Sequence, residues 1–90
     1  MEREEKILKA LDSPVRIKIL RYLTKGPSCV TLTNKEINIS QPNLSQHLKV
    51  LKDAGLVGSK KVMTKRCYYI TKMNDVKQLL QLLATLSTEN

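Results

Sequence analysis

Residues 40–46 carry hydroxyl and amide side chains but no charge. The polar members of this segment are Ser40, Gln41, Asn43, Ser45 and Gln46. Exposed helix surfaces usually carry a mixture of acidic and basic side chains instead. Asn and Gln can each form two hydrogen bonds with the edge of adenine in the major groove of duplex DNA. The chemistry that this segment favours is therefore hydrogen bonding to base edges.

The same segment has the pattern of an amphipathic helix. Three leucines recur at spacings of four and three residues, which places them on one side of a helix. They are Leu44, Leu48 and Leu51. Ser40 can cap the first turn, Pro42 is tolerated there because first-turn amides lack an intrahelical partner, and Gly55 can end the helix. We predict a helix over about residues 40–54, with Lys49 on its polar side.

No catalytic group can be assembled around His47, the single histidine of the chain. No nucleophile or carboxylate lies at a spacing that would orient it. The sequence also contains no paired acids, metal-ligand cluster or nucleophile elbow, so we expect no enzymatic activity. His47 could contact phosphate or titrate near neutral pH, but a packed or surface histidine is the favoured interpretation.

The chain contains two cysteines, Cys29 and Cys67. The sequence shows neither an apolar segment long enough to span a bilayer nor the charged-then-apolar pattern of a secretory signal peptide, so we expect a cytoplasmic protein. In that compartment the two cysteines are expected to be reduced thiols. Two interpretations of these thiols remain. They could form a disulfide or a persulfide relay, or they could be buried as small apolar side chains, which is favoured.

The net charge of +8 at pH 7 is concentrated in one part of the chain. Residues 37–72 contain seven basic side chains and one acid, Asp53. The basic residues are Lys49, Lys52, Lys60, Lys61, Lys65, Arg66 and Lys72. This imbalance predicts a polyanionic partner. Because Trp and Phe are absent and Tyr occurs three times, a stacking platform for single strands is disfavoured and double-stranded DNA is preferred.

Apolar periodicity predicts two helices before the polar segment. The first spans residues 3–12, and the second starts at Ser13 and Pro14 and runs to Leu23. The apolar arc of the second helix is wider than one stripe. We therefore expect the second helix to be central to the core.

Residues 28–39 fit both a short strand and a short helix. We favour a helix that ends near Ile37 and is capped by Thr31 or by a capping box that starts at Thr33. Asn38 would then adopt a left-handed conformation at a tight turn. A short helix, a tight turn and a second helix with a polar side constitute a helix-turn-helix.

Residues 56–62 and 66–71 have the pattern of two short strands. We predict a hairpin whose loop, residues 63–65, is looser than a two-residue turn because it lacks glycine. Tyr68 and Tyr69 alternate along the second strand, so one of them is expected to pack inward. The basic residues of this wing can lie along phosphates or enter a minor groove. They are Lys60, Lys61, Lys65 and Arg66.

A last helix begins at Asn74 and Asp75 and carries more leucine than one small domain can bury. We expect a homodimer formed by the first and last helices. The predicted interface residues are Ile7, Leu8, Leu11, Leu79, Leu82, Leu83 and Leu86. The predicted fold is one domain over residues 1–90, mainly α with a small β-hairpin. It is a winged helix-turn-helix with five helices and the wing, about residues 57–70, between the fourth and the fifth.

Four motifs follow one another along nearly the whole chain. They are residues 11–20 (LDSPVRIKIL), 40–51 (SQPNLSQHLKVL), 55–57 (GLV) and 68–69 (YY). Their order and spacing resemble winged-helix repressors of the arsenical-resistance type, the ArsR/SmtB family. The resemblance implies a homodimer, built from the first and last helices, that binds a pseudo-palindromic operator and represses transcription. It also implies that bases and nearby phosphates are approached by Gln41, Pro42, Asn43, Ser45, Gln46 and Lys49.

The sequence departs from the metal-responsive members of that family. One family site needs paired cysteines before the turn, and here Thr31 follows Cys29 where the second cysteine is expected. Another site needs His and carboxylates on the last helix, but residues 74–90 contain only Asp75 and Glu89. A stable transition-metal site usually takes three or four nitrogen or sulfur ligands. We therefore predict no metal and no cofactor, and the effector stays open.

Two alternatives to this interpretation remain. A winged-helix module of a larger assembly could use its basic surface to bind an acidic protein, although basic residues on both the wing and the polar helix favour DNA. A redox-responsive version of the repressor would use Cys29 and Cys67.

Overall fold

The computed structural model describes residues 2–88 and contains five helices and a three-stranded antiparallel sheet. The elements are α1 (Glu2–Leu11), α2 (Pro14–Leu23), β1 (Ser28–Cys29), α3 (Val30–Ile37), α4 (Gln41–Asp53), β2 (Val57–Val62), β3 (Lys65–Ile70) and α5 (Met73–Leu86). The order confirms the predicted winged helix-turn-helix, with α3 and α4 as the helix pair and the β2–β3 hairpin as the wing. Of the predicted domain over residues 1–90, Met1, Glu89 and Asn90 lie outside the described residues. Within residues 2–88, no helix is both long and apolar enough to cross a membrane.

Serine hydroxyl groups cap α2 and α4, as the sequence predicted. Ser13 Oγ accepts a hydrogen bond from the Arg16 amide at 3.3 Å, and Ser40 Oγ accepts one from the Asn43 amide at 3.3 Å. A proline lies in the first turn of each helix, where its missing N–H costs no intrahelical hydrogen bond. The start of α4 is therefore determined by its local sequence.

Left-handed residues follow both helices of the helix-turn-helix. Asn38 adopts φ 61° and ψ 52° between α3 and α4, as predicted. Gly55 follows α4 with φ 79°. The Gly55 amide donates to the Lys52 carbonyl at 2.9 Å and the Leu56 amide donates to the Leu51 carbonyl at 3.0 Å, which is the Schellman arrangement. Both connections are thus closed by hydrogen bonds within a few residues.

The core forms around α2, as its wide apolar arc predicted. Its fully buried side chains pack with the leucine side of α4. The residues are Ile19, Leu20, Leu23, Leu44, Leu48 and Leu51. Each such side chain contributes about 1.5–3 kcal/mol when it is fully buried. The position of α4 therefore depends on its contact with α2.

The segment 28–39 contains both a strand and a helix. Ser28 and Cys29 pair with β3, and α3 begins directly afterwards at Val30. The predicted caps at Thr31 and Thr33 are wrong, because the N-cap residue is Cys29 and its side chain makes no capping hydrogen bond. Thr33 is instead buried, and its hydroxyl group donates to the Cys29 carbonyl at 2.9 Å. The pairing with β3 fixes the start of α3.

The wing ends in a tighter turn than the sequence predicted. Val62 pairs with Lys65, so Met63 and Thr64 alone form the turn and the expected looser loop is wrong. Met63 supplies the left-handed residue that such turns need, with φ 58°. The last helix also begins earlier than predicted, at Met73 after the N-cap residue Lys72.

β3 is the central strand of the sheet, in the order β1-β3-β2. Side chains alternate between the two faces of a sheet. Val57 and Ile70 are paired and buried on the inner face, where Tyr68 also packs against the core. Tyr69 lies on the outer face opposite Gly58. A Cβ atom at Gly58 would lie 2.5 Å from Cζ of Tyr69, so the ring covers the glycine.

We expect Gly58→Ala to lower the free energy of unfolding by about 1 kcal/mol, because the added methyl group must displace the Tyr69 ring. In a Tyr69→Ala background the same substitution is expected to raise stability by about 0.4–1 kcal/mol, since alanine restricts the unfolded chain. Urea denaturation of the four proteins measures both effects. Equal destabilisation in the two backgrounds would contradict the contact.

Candidate nucleic-acid interface

The packing of α4 separates its leucines from its polar side chains. While the leucine side is buried against α2, every residue predicted to contact DNA at α4 is exposed. These residues are Ser40, Gln41, Pro42, Asn43, Ser45, Gln46 and Lys49. The first turn of α4 also adds the positive end of the helix dipole. One end of α4 therefore presents hydrogen-bonding groups to solvent in a favourable field for phosphate.

The wing carries its four predicted basic residues in two pairs. Lys60, Lys61, Lys65 and Arg66 are all exposed. Lys61 and Arg66 are register partners and share the face of the sheet that includes the core residues. Lys60 and Lys65 lie on the outer face, because side chains alternate along each strand. Both faces of the wing are therefore basic.

A hydrogen-bonded cluster links the end of α4 to the wing. Ser59 Oγ accepts from Lys52 Nζ at 2.9 Å and from Arg66 Nη1 at 3.4 Å. Lys52 belongs to α4 and the other two residues belong to β2 and β3. The basic residues of helix and wing thus form one continuous surface.

Carboxylates neutralise little of this surface. Among residues 2–88, the one ion pair joins Lys49 Nζ to Asp53 Oδ2 at 3.1 Å. Both side chains are largely exposed, and such pairs contribute at most about 1 kcal/mol. Lys49 can therefore exchange its carboxylate partner for a phosphate at low cost.

Arg16 connects three helices next to the exposed polar surface. Its Nε donates to the Ala10 carbonyl at 2.7 Å and its Nη2 donates to the Lys9 carbonyl at 2.9 Å. Its Nη1 lies 3.1 Å from Nδ1 of His47 on α4. Because a guanidinium group can only donate, Nδ1 must accept and the histidine proton resides on Nε2. Arg16 therefore joins the end of α1 to α4.

The surroundings of His47 favour its neutral form. Partial burial lowers the pKa of His47 below its ordinary value of 6.5, and the positive charge of Arg16 lowers it further. The neutral imidazole is also the form that can accept the hydrogen bond from Arg16. The structure thus places His47 as a packed residue beside Arg16, in line with the favoured interpretation of the sequence.

Cys29 and Cys67 are both free and half-buried, and they are register partners in the sheet. The sequence did not indicate that these two residues are neighbours. No three side chains of His, Cys, Asp or Glu come together as a possible metal site within the part of the chain that the structure describes.

The predicted dimer residues fall into two groups. Ile7 and Leu11 are half-buried and pack against the core of their own chain, and Leu79 is also half-buried. The others are exposed: Leu8, Leu82, Leu83 and Leu86. On α5 the exposed leucines adjoin the side that is buried through Val76 and Leu80. The exposed group is the part of the predicted interface that is free to contact a second chain.

The positions of three residues at or near this surface could not be predicted from the sequence. Lys52 lay within the basic cluster, but its contact with the wing could not be inferred from spacing. Arg16 binds mainly backbone carbonyl groups, which leave no sequence signal. Met63 is 91% exposed at the tip of the wing, whereas an apolar side chain in a turn suggests packing.

We expect stability to fall as the pH decreases from about 6.5 through the lower pKa of folded His47. Below about pH 6.5 His47 of the unfolded chain binds a proton more readily than His47 of the folded chain, which favours unfolding. Above about pH 6.5 His47 is neutral in both states, and its contribution to the free energy of unfolding is fully present. In His47→Asn the asparagine oxygen can still accept a hydrogen bond from Arg16, but the side chain does not titrate. The stability of this variant is therefore expected to depend less on pH than that of the wild type. Urea midpoints of both proteins at about pH 7.5 and about pH 5 measure the difference. An identical decrease in the two proteins would contradict this role.

Comparison with known proteins is consistent with this geometry. Residues 13–59 match the family described as bacterial regulatory protein, arsR family. An uncharacterised HTH-type transcriptional regulator from Methanocaldococcus jannaschii is 40% identical over 86 residues, which cover 91% of this chain and 96% of the relative.

Solved structures give the same result. The transcriptional repressor BigR from Xylella fastidiosa aligns with a TM-score of 0.84 and 30% identity, over 99% of this chain and 90% of that one. A homodimeric winged helix-turn-helix DNA-binding domain from Mycobacterium bovis aligns with a TM-score of 0.85 and 27% identity, over 96% of this chain and 79% of that one. The chain therefore belongs to the arsR family of bacterial regulatory proteins and is a winged helix-turn-helix transcriptional regulator.

Proposed function

We propose that the chain acts in the cytoplasm as a homodimeric repressor that binds a pseudo-palindromic operator. In this proposal α4 enters the major groove and the wing lies on the flanking backbone or in the minor groove. The observation that carries it is the exposed, uncharged polar surface at the start of α4, on a helix whose other end is hydrogen-bonded to the basic wing.

Sequence discrimination is assigned to the first half of α4. Gln41, Asn43 and Gln46 are exposed there, and amide side chains can recognise adenine through paired hydrogen bonds. The buried leucines hold the helix axis in place, so these amides start from a fixed backbone. Pre-positioned side chains lose less freedom on binding, which supports specific contacts.

Affinity is assigned mainly to the wing and to Lys49. Their ammonium and guanidinium groups can replace the counterions that surround DNA phosphates, and this contribution is independent of base sequence. The wing cations lie on a different element from the amides of α4, which supports a division between positioning and sequence recognition.

The exposed leucines support the homodimer. Leu8, Leu82 and Leu86 are 68%, 61% and 82% exposed. Leu82 and Leu86 are one turn apart on α5, and adjacent exposed leucines on a small domain mark a contact surface. The related domain from Mycobacterium bovis is described as homodimeric. A twofold axis would place two copies of α4 in successive major grooves, roughly 34 Å apart.

The relatives support repression. The related Xylella fastidiosa protein is described as a transcriptional repressor. A dimer of this size that occupies an operator can exclude other proteins from the same DNA without any further activity. Protein-protein recruitment would need a separate surface, and the basic surface described above is assigned to DNA.

We expect Gln46→Ala to cost about 1–3 kcal/mol on the preferred DNA sequence and little on random duplex DNA, because it removes a base contact. Lys61→Ala is expected to weaken binding to both DNAs alike. It is also expected to reduce the slope of log affinity against log salt concentration by about 1, the contribution of one phosphate contact. Binding sites are first selected from random duplexes, and affinities are then measured over a range of salt concentrations. Equal losses on both DNAs for both variants would contradict the division, and binding that is insensitive to salt would contradict DNA recognition itself.

We expect Leu82→Glu to separate the dimer, because it places a carboxylate within the exposed apolar stripe of α5. Affinity for a two-site operator is then expected to fall by roughly 100-fold, since each domain binds alone. Ala84→Glu is the matched control: it adds the same charge at an exposed position two residues away, on a different side of the helix. Sedimentation gives the mass and electrophoretic mobility shift gives the affinity. Dissociation of both variants, or of neither, would contradict the interface.

A further inference from the structure

The two thiols of the chain are directly opposite each other in the sheet. Cys29 of β1 and Cys67 of β3 are register partners in an antiparallel pair. Opposite residues in such a pair have Cα atoms about 4.5–5.5 Å apart, which lies within the range of about 4.4–6.8 Å found for disulfides. Their side chains also project from the same face. The backbone therefore places the two cysteines within reach of a disulfide in the folded chain.

The thiol pair lies on the outer face of the sheet. Ser28, the neighbour of Cys29, is buried on the inner side and its Oγ lies 2.9 Å from Tyr22 Oη, so Cys29 projects the other way. Both cysteines are half-buried rather than enclosed in the core. Lys60 is the register partner of Cys67 on β2 and shares that outer face. Small anionic reagents can therefore approach the thiols from solvent and are attracted by the lysine.

We propose that Cys29 and Cys67 form a reversible cross-strand disulfide by exchange with anionic low-molecular-weight disulfides such as glutathione disulfide. One cysteine thiolate attacks a sulfur of the reagent, which gives a mixed disulfide and releases one small thiolate. The second cysteine loses its proton, attacks the protein sulfur of the mixed disulfide and releases the second small thiolate. Two electrons pass from the protein thiols to the reagent, and the two protons are taken up by the released thiolates.

The bond would join the helix-turn-helix to the wing. Cys29 is the residue before α3, and Cys67 lies in the central strand of the sheet. Opposite Cβ atoms are about 4.5–5.5 Å apart in a sheet, but a disulfide holds them at about 3.8 Å. Oxidation therefore draws β1 and β3 closer together.

This displacement changes the spacing between the two DNA-contacting elements. The core holds α3 and α4 against α2, so the movement is taken up by β3, which carries the wing. DNA requires a fixed separation between the major groove and the flanking backbone, so α4 and the wing can no longer both reach their positions. The consequence for DNA rests on the proposed function, whereas formation of the bond does not.

The test uses the full chain equilibrated with mixtures of reduced and oxidised glutathione. We expect the wild-type monomer to lose two hydrogens and both free thiols, with the peptides of Cys29 and Cys67 linked. Cys29→Ser and Cys67→Ser, the matched controls, are expected to retain glutathione as a mixed disulfide, because the resolving thiol is missing. A wild-type protein that ends as a glutathione adduct, stays reduced or forms linked dimers would overturn the proposal.

Binding of the selected operator is measured on the same samples. The oxidised wild type is expected to bind roughly tenfold more weakly, a loss equivalent to one base contact, and to recover after reduction. The double variant Cys29→Ser/Cys67→Ser, which can carry neither the disulfide nor a glutathione adduct, is expected to bind equally before and after the treatment. Unchanged affinity of the disulfide form would overturn the coupling to DNA. If the reduced protein binds no duplex DNA, the proposed function fails, while thiol counting still decides whether the bond forms.

Discussion

The contact between the leucine side of α4 and the core helix α2 is the constraint on which the rest of the molecule depends. Burial of Leu44, Leu48 and Leu51 consumes the apolar side of α4 and leaves only its polar side for solvent. Truncation of such a leucine to alanine costs about 2–5 kcal/mol, a large part of the stability of a small domain. Because the leucines must be buried, the opposite, polar side of α4 faces solvent. The packing of the leucines in the core also fixes the orientation of this polar side.

The central strand β3 gives the wing a fixed relation to this helix. It pairs with β2 along the whole hairpin and with β1 at the start of α3, so one strand connects the wing to the beginning of the helix-turn-helix. Ser59 of β2 also accepts hydrogen bonds from Lys52 of α4 and from Arg66 of β3, which attaches the wing to the end of α4. A hairpin alone is marginally stable in water, and these attachments hold its basic side chains near α4.

The sequence predicted features that depend on local physics and missed those that depend on distant partners. Serine caps, the left-handed Asn38 and the leucine period each act within a few residues, and all three were predicted correctly. The caps at Thr31 and Thr33 were wrong because the pairing of Ser28 and Cys29 with β3 determines where α3 starts. That pairing links residues about forty positions apart, so neither it nor the adjacency of the two cysteines has a local signal. The tight turn at Met63 was missed because a non-glycine residue takes the left-handed conformation there.

Arg16 connects α1, one of the two proposed dimer helices, to the proposed DNA surface. Through one guanidinium group, the C-terminal carbonyls of α1 are tied to His47, which is adjacent in sequence to Gln46. Leu8 of the proposed dimer surface lies on the same α1, next to Lys9. A partner chain that packs on α1 would thus contact a helix whose end is already hydrogen-bonded to the recognition element. Because a planar guanidinium group holds all three acceptors in a fixed geometry, the relative orientation of α1 and α4 is constrained within each subunit. The separation of the two recognition helices in a dimer would then be determined by the interface rather than by motion between α1 and α4.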